Sequence, residues 1–594
     1  MLGEAVFFSA AGPDGYSPWG WSRAFAAPAW HGQAYAAAEV IPLLERAGRE
    51  QERGRWLVLA LAYEAAPAFD PVLAVHAPAP GEPIAFAAAY DAPLPRPPRP
   101  GFAPLPAAPF FPSLARPDYD RAIAAIRGEL GRGEAYQVNY TFPLSGPAPA
   151  DLSAWFAALA VRQQAGLCCR MDMGGRVVLS FSPELFFTRQ GHRLTVRPMK
   201  GTAPRAADPE ADAAAARALA ACPKNQAENR MIVDLMRNDL GRLAVPGSVA
   251  VPELFAVEPL GAAWQMTTTV TADISPATGL IDVLRALFPC GSITGAPKAA
   301  AMRLIRERET GPRGLYTGAL GFVAPDGDCA MSVAIRTVVV DTARRTAVYG
   351  VGGGITHDSR AGDEYAECRL KARFLSDPAA GFSLLETLRL DAGRLSFLPE
   401  HLARLAASAA ALGFAYDAAA VAAALDTAAR HPGRARLRLT LSPLGEVAVT
   451  RHPLPARLGR PARLGLCPEP VDPADPTLFH KTTRRARYDA ALAARPDRDD
   501  VVLCNTLGEV TESCRANLVV RLDGRLLTPA AECGLLPGTY RARLLARGVV
   551  AEARLTPADL QRAEAVWLVN ALRLWTRAVP DFQAPAVGIA LGLP

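Results

Sequence analysis

Lysine is nearly absent from this chain of 594 residues: five occur, against a combined lysine and arginine count of 64. Arginine has taken over wherever a fixed positive charge suffices, because its guanidinium stays protonated at neutral pH. An amine that can be tuned to lose its proton is required only for nucleophilic, basic or Schiff-base chemistry. Lys200, Lys224, Lys298, Lys371 and Lys481 are therefore the first candidates for chemistry, and two or three of them are expected to carry it.

Other absences narrow the field. The ten cysteines contain no Cys-x-x-Cys, and only Cys168 and Cys169 lie close together, so neither a disulfide framework nor a zinc site is expected. No apolar run approaches the roughly 18 residues of a membrane span, and the opening MLGEAVFFSAAG carries Glu4 and no basic leader. A cytoplasmic protein with no membrane partner is the expectation. The net charge of +6 is spread along the chain without a basic arm, which argues against nucleic acid. RARLRLTLS at 434–442 reads as a solvated strand face opposite Leu437, Leu439 and Leu441. At this length at least two cores should form, and 50% apolar with 21% charged residues is ordinary for a globular chain.

What is present has the rhythm of an α/β (α+β) protein. The proline-dense stretch 92–118 reads as a surface connection, DYDRAIAAIRGELGRG as a helix, and AYQVNYTF as a strand. On that strand Tyr136, Val138, Tyr140 and Phe142 share one face and Gln137, Asn139 and Thr141 the other. RVVLSFSPELFF is strand-like, NRMIVDLMRNDLGRL and the Ala-rich 206–221 are helical, and VYGVGGGITHDS reads as a glycine-punctuated turn before helical DEYAECRLKARFL. SDPAAG at 376–381 breaks the pattern, and FSLLETLRLDAGRLSFLPEHLARL starts a new cycle. This places domains at 1–376 and 382–594.

Lys200 follows a strand-like run and precedes Gly201, a setting in which a desolvated amine could act as nucleophile or base, or else sit in a structural ion pair. Glu184, in SFSPELFF, could serve as a pocketed general acid. Glu364 and Glu367 lie three apart on a predicted helix and could ligate Mg2+ through oxygen, or Glu367 could simply pair with Lys371. Glu228 is a candidate third carboxylate. Toward the C-terminus, Glu512 could keep a pyridine nitrogen protonated.

In their order and wording, YEAAPAFDP, GEAYQVNYTF, SFSPELFF, RPMKGTAPR, ENRMIVDLMRNDLGR, FPCGSITGAPKAAAM, RGLYTGALGF, VAIRT and YGVGGGITHDSRAGDEYAECRLKA resemble the chorismate-utilising enzymes, over roughly residues 55–375. The resemblance implies a two-sheet sandwich around a chorismate and Mg2+ site. Gln137 stands where water-using members carry a lysine base, and Lys200 where anthranilate synthases carry alanine, which together point to the branch that aminates C4. On that pattern Lys200 is the nucleophile, Glu184 the acid, and Glu228, Glu364 and Glu367 hold Mg2+. Arg336 and the amides of Gly352, Gly353 and Gly354 hold carboxylates, Thr294 lines the ring site, and Lys298 is either a ligand contact or a structural pair. The chain departs from the pattern with Trp264 and Gln265 in a stretch that usually carries histidine, and with Asn225 where an acid is common.

Over about 382–580, FHKTTRRARYD, PEHLARLAASAAALGF, VTESCRANLVV and WLVNALRLW resemble the fold-type IV pyridoxal-phosphate enzymes. This implies Lys481 as the lysine that binds pyridoxal 5'-phosphate, Arg404, Gly538 and Thr539 at its phosphate, Glu512 at its ring nitrogen, and Asn570 near the phosphate. GTYR replaces the more familiar GITR at the phosphate site. Joined to a chorismate-aminating domain, such a domain is expected to release pyruvate and leave p-aminobenzoate, a folate precursor. The rival is an anthranilate synthase joined to an aminotransferase-like domain. No Gly-x-Cys-x-Gly-x-Gln elbow occurs, so ammonia is expected from a separate glutamine amidotransferase subunit. The fold-type IV resemblance also suggests a homodimer through the C-terminal domain.

Overall fold

The computed structural model describes residues 3–8, 21–98, 101, 109–163, 165–204, 209–260, 263–376, 382–430, 433–456 and 458–582. Apart from Ser376, the expected break at 376–381 lies outside the described residues. The chain forms two compact units, and the main change from one to the other falls between residues 377 and 378.

The first unit contains a nine-stranded and a ten-stranded sheet. Strands Trp56–Leu61 and Ala85–Tyr90 are apolar at every position, because each is covered on both faces. Period-two geometry divides their side chains between two cores. Leu57, Leu59 and Leu61 pack with helix residues such as Val40, Leu44, Ile232 and Leu284. Val58 and Ala60 face a second cluster with Phe7, Met171 and Val178 from the other sheet. The helices Arg116–Gly131, Pro223–Gly241 and Ala361–Ser376 fall where apolar spacing predicts them.

Two expectations are corrected. RVVLSFSPELFF is two strands, not one: Arg176–Ser182 belongs to the nine-stranded sheet and Leu185–Gln190 to the ten-stranded sheet. Pro183, which cannot donate to a ladder, and Glu184 carry the chain from one sheet to the other. The glycine run is not a turn. Thr346–Ile355 is a strand, with Gly352, Gly353 and Gly354 opposite Thr141, Tyr140 and Asn139. Glycine is needed there for space: a Cβ on Gly352 would lie 2.5 Å from the Tyr140 carbonyl oxygen, and one on Gly350 2.2 Å from the Tyr316 ring.

The second unit holds a four-stranded and an eight-stranded sheet. Ala435–Leu441 alternates as expected, with Leu437, Leu439 and Leu441 buried and Arg438 exposed. Helix Leu398–Leu412 ends on Gly413 at φ 70°, a left-handed cap that glycine adopts without strain. Among the described residues no helix is long and apolar enough to cross a membrane.

Candidate functional site

The sheet crossing at Glu184 is the centre of the first site. Glu184 is buried, and burial pushes its carboxyl up to about 7 against the Ser292 hydrogen bond and the nearby Lys200 charge. The Ser292 hydroxyl donates to Glu184 Oε1 at 2.5 Å, and the Ser292 carbonyl accepts from Lys200 Nζ at 3.5 Å. Lys200 is half-buried on strand Met199–Pro204. Desolvation lowers its ammonium below the usual lysine range, while Glu184, Glu228 and Glu367 oppose that shift and Lys371 adds to it. An amine driven toward neutrality and a carboxyl driven toward protonation thus meet across one residue.

The sequence-predicted metal carboxylates lie within one electrostatic neighbourhood, Glu228 and Glu367 acting on Lys200 and Glu367 on Glu364, and each has a partner. Glu367 pairs with Lys371 at 2.8 Å, and that ammonium also donates to the Gly352 carbonyl at 2.8 Å. Glu364 accepts from the Ser359 hydroxyl at 2.7 Å, and Glu228 lies 3.9 Å from Lys224. Burial raises the Glu364 carboxyl; at Glu367 the Lys371 ammonium outweighs burial and lowers it. Among the described residues no three acidic, imidazole or thiol side chains form a ready cage for an ion. The donor chemistry still fits Mg2+, which binds through one or two carboxylates plus substrate and water oxygens, and Glu364 and Glu367 project from adjacent turns of one helix. Lys298 donates to buried Asp239 at 2.8 Å and to the Leu287 carbonyl at 3.1 Å, the pairing its sequence reading allowed.

Gln137 is 1% exposed, and its Oε1 has no partner, as is also true of the buried Gln265 Oε1, Thr267 Oγ1 and Asn229 Nδ2. Unsatisfied buried polar atoms are rare in folded proteins; here Gln265 and Thr267 lie on the strand paired with that of Lys200. Thr294 is fully buried with its hydroxyl turned onto the Cys290 and Gly291 carbonyls, so it shapes the turn. Arg336 adopts φ 52° and donates to Gln163 Oε1 at 3.0 Å.

Sequence reasoning missed Ser292 and Arg313. Buried Arg313 grips Glu309 through Nε and Nη2 at 2.9 and 2.7 Å, donates to the Asn139 and Ile293 carbonyls at 2.7 and 3.1 Å, and stacks 4.5 Å over the Tyr63 ring. It ties the strand of Gln137 to the turn of Ser292. The only signal for it was its place in RGLYTGALGF.

In the second unit Lys481 is lowered to about 8, first by desolvation and then by Arg404, with Glu386 and Glu512 opposing. Glu512 lies within strand Val510–Ser513; burial pushes it up to about 7, while Tyr488 donates to it at 2.9 Å and the Leu536 amide at 3.3 Å. Arg404 forks onto buried Glu386 at 2.8 and 2.7 Å and donates to the Pro537 carbonyl at 3.1 Å. Two of its five donors remain, next to helix Thr539–Ala546, whose N-cap is Gly538. A helix start beside an arginine suits a phosphate, and Lys481 and Glu512 share the electrostatic field, so these residues fit pyridoxal phosphate. The Asn570 side chain accepts from the Leu572 and Arg573 amides and donates to the Arg515 carbonyl. Glu386 and His401, which contacts Glu386 at 2.6 Å, were also missed.

In the first unit a lowered amine and a raised carboxyl thus lie on either side of Ser292, and in the second a lowered lysine lies in the field of Arg404, Glu386 and Glu512. The comparisons make the class specific. Residues 76–377 match the family described as chorismate binding enzyme, and residues 383–579 match amino-transferase class IV. The chain belongs to the chorismate binding enzyme family. It is 43% identical over 260 residues to an aminodeoxychorismate synthase of Streptomyces griseus, spanning 43% of this chain and 35% of that one. It is 43% identical over 258 residues to aminodeoxychorismate synthase component 1 of Klebsiella aerogenes, spanning 43% of this chain and 56% of that protein. The chain thus spans between 35% and 56% of the length of these curated relatives. A solved structure from Bacillus anthracis, described as a 2,3-dihydroxybenzoate-specific isochorismate synthase, shares the fold at TM-score 0.51 and 19% identity, over 63% of this chain and 95% of that one.

Proposed function

We propose that the first unit aminates chorismate at C4 to give 4-amino-4-deoxychorismate, and that the second eliminates pyruvate from that product to give p-aminobenzoate. The observation that carries the first step is the pairing of Lys200 and Glu184 through Ser292. The neutral Lys200 amine adds at C2 of chorismate, both ring double bonds shift toward C4, and Glu184 gives its proton to the departing C4 hydroxyl. Ammonia then adds at C4 and the bond to Lys200 breaks, returning the amine. Gln137 cannot deprotonate water, which supports ammonia as the entering group. Glu228, Glu364 and Glu367 would hold Mg2+, whose charge would steady the ring carboxylate. Ammonia is supplied by a separate glutamine amidotransferase, a reading supported by the name component 1 borne by the Klebsiella aerogenes relative.

In the second unit Lys481 and Arg404 would hold pyridoxal phosphate with the helix start at Gly538 and Thr539, and Glu512 would bond the ring nitrogen. The bound group supplies an electron sink beside the substrate amine. Lys481 then takes the C4 proton; the C3 to oxygen bond breaks, the ring becomes aromatic, and the three-carbon side chain leaves as pyruvate. The test is product analysis with chorismate, Mg2+, an ammonium salt and pyridoxal phosphate. p-Aminobenzoate with equimolar pyruvate is expected. Anthranilate would overturn the assignment of the first unit, and 4-amino-4-deoxychorismate that accumulates would overturn that of the second.

A further inference from the structure

The turn Gly291–Ile293 is held by packing on one side and hydrogen bonds on the other. A Cβ on Gly291 would lie 2.4 Å from Leu235 Cδ2 and 2.7 Å from Met236 Cε, so the turn is pressed onto helix Pro223–Gly241. Asn139 holds it from the other side, its amide side chain donating to the Ser292 carbonyl at 3.1 Å and its backbone N–H to the Thr294 carbonyl at 2.8 Å. Arg313 fixes the Ile293 carbonyl at 3.1 Å. Ser292 itself is 3% exposed, with Cys290 Sγ 3.2 Å from its hydroxyl.

We propose that Ser292 is a positioning residue of the amination site, its hydroxyl holding the Glu184 carboxyl and its carbonyl holding the Lys200 amine at a spacing set by the anchored turn. This rests on the reading of the first unit given above. A hydroxyl suits the task because it both donates and accepts. It donates to Glu184 when that group is ionised, and it can accept the carboxyl proton when Glu184 is loaded to protonate the leaving hydroxyl. One residue therefore keeps the acid in place through both states while the same residue's backbone orients the nucleophile. The neighbouring threonine, singled out by sequence, has its hydroxyl committed to the turn and is not available for this.

The test compares the 594-residue chain with its Ser292→Ala and Ser292→Thr variants in ammonia-dependent amination of chorismate, with melting temperatures measured alongside. Misplacing reacting groups by about an ångström costs on the order of 100-fold. Ser292→Ala should therefore lower kcat by roughly 10- to 100-fold with KM for chorismate and melting temperature little changed, and Ser292→Thr should recover most of the loss. Ser292→Ala with an unchanged kcat, or a loss that appears in KM and that threonine does not rescue, overturns the positioning role. A wild-type protein that binds but does not aminate chorismate overturns instead the reading on which the role rests.

Discussion

Arg313→Ala should weaken the first unit far more than an ordinary substitution. Both members of the Arg313 and Glu309 pair are buried, with side chains 2% and 3% exposed. Removing the guanidinium leaves Glu309 with only the Thr141 amide and hydroxyl as donors, at 2.8 and 2.9 Å. Stranding one charge of a buried pair costs about 3–5 kcal/mol. The carbonyls of Asn139 and Ile293 also lose donors, but these effects overlap, and about 4 kcal/mol is a fair total. For a unit of this size, about 2 °C per kcal/mol is appropriate, so its calorimetric transition in the two-unit chain should fall by roughly 8 °C. The cause is checked by adding Glu309→Gln to Arg313→Ala, which removes the stranded charge and should recover at least about 1 kcal/mol. A single substitution that costs less than about 1 kcal/mol, or a double variant weaker than the single, would refute the reasoning.

Three further outcomes are expected. Glu184 must carry its proton to serve as the acid, and it is raised to about 7; at constant free ammonia, amination should therefore decline as pH rises through that value, and a rate that keeps rising would remove Glu184 from the role. Lys481→Ala should abolish pyruvate release and borohydride trapping of pyridoxal phosphate while leaving the amination rate intact; loss of both activities would contradict independent sites. A Cβ on Gly354 would come 2.1 Å from Gln137 Nε2, so Gly354→Ala should displace that buried amide and raise KM for chorismate, and unaltered kinetics would show that Gln137 does not touch the substrate.

Much of this was legible because apolar periodicity is local: the helices Arg116–Gly131 and Ala361–Ser376 and the alternation at Ala435–Leu441 follow from spacing alone. The errors came from contacts made across the chain. The glycines at 352–354 read as a turn, yet their lack of side chains answers to Tyr140 and Gln137, more than 200 positions away. RVVLSFSPELFF looked continuous because both halves are strand; only assembly assigns them to different sheets. In the site, scarcity of lysine singled out Lys200 and Lys481, and the spacing of Glu367 and Lys371 left a surface pair open, which the structure contains. Ser292 gave no such signal, since a hydroxyl in a glycine-rich turn is unremarkable until Glu184 is folded against it.

The convergence of Lys200, Lys224 and Lys371 on the Glu367 carboxyl has a practical consequence for anyone who tags this protein. Surface lysines usually offer harmless places to attach a fluorophore or a cross-linker. Here arginine clothes most of the cationic surface, and of the five side-chain amines three act on the Glu367 carboxyl, one is locked to Asp239 and one lies in the field of Arg404 and Glu512. Amine-directed reagents are therefore expected to act on this protein as site probes, and the order in which amines become shielded by added chorismate or pyridoxal phosphate should map each site without any engineered handle.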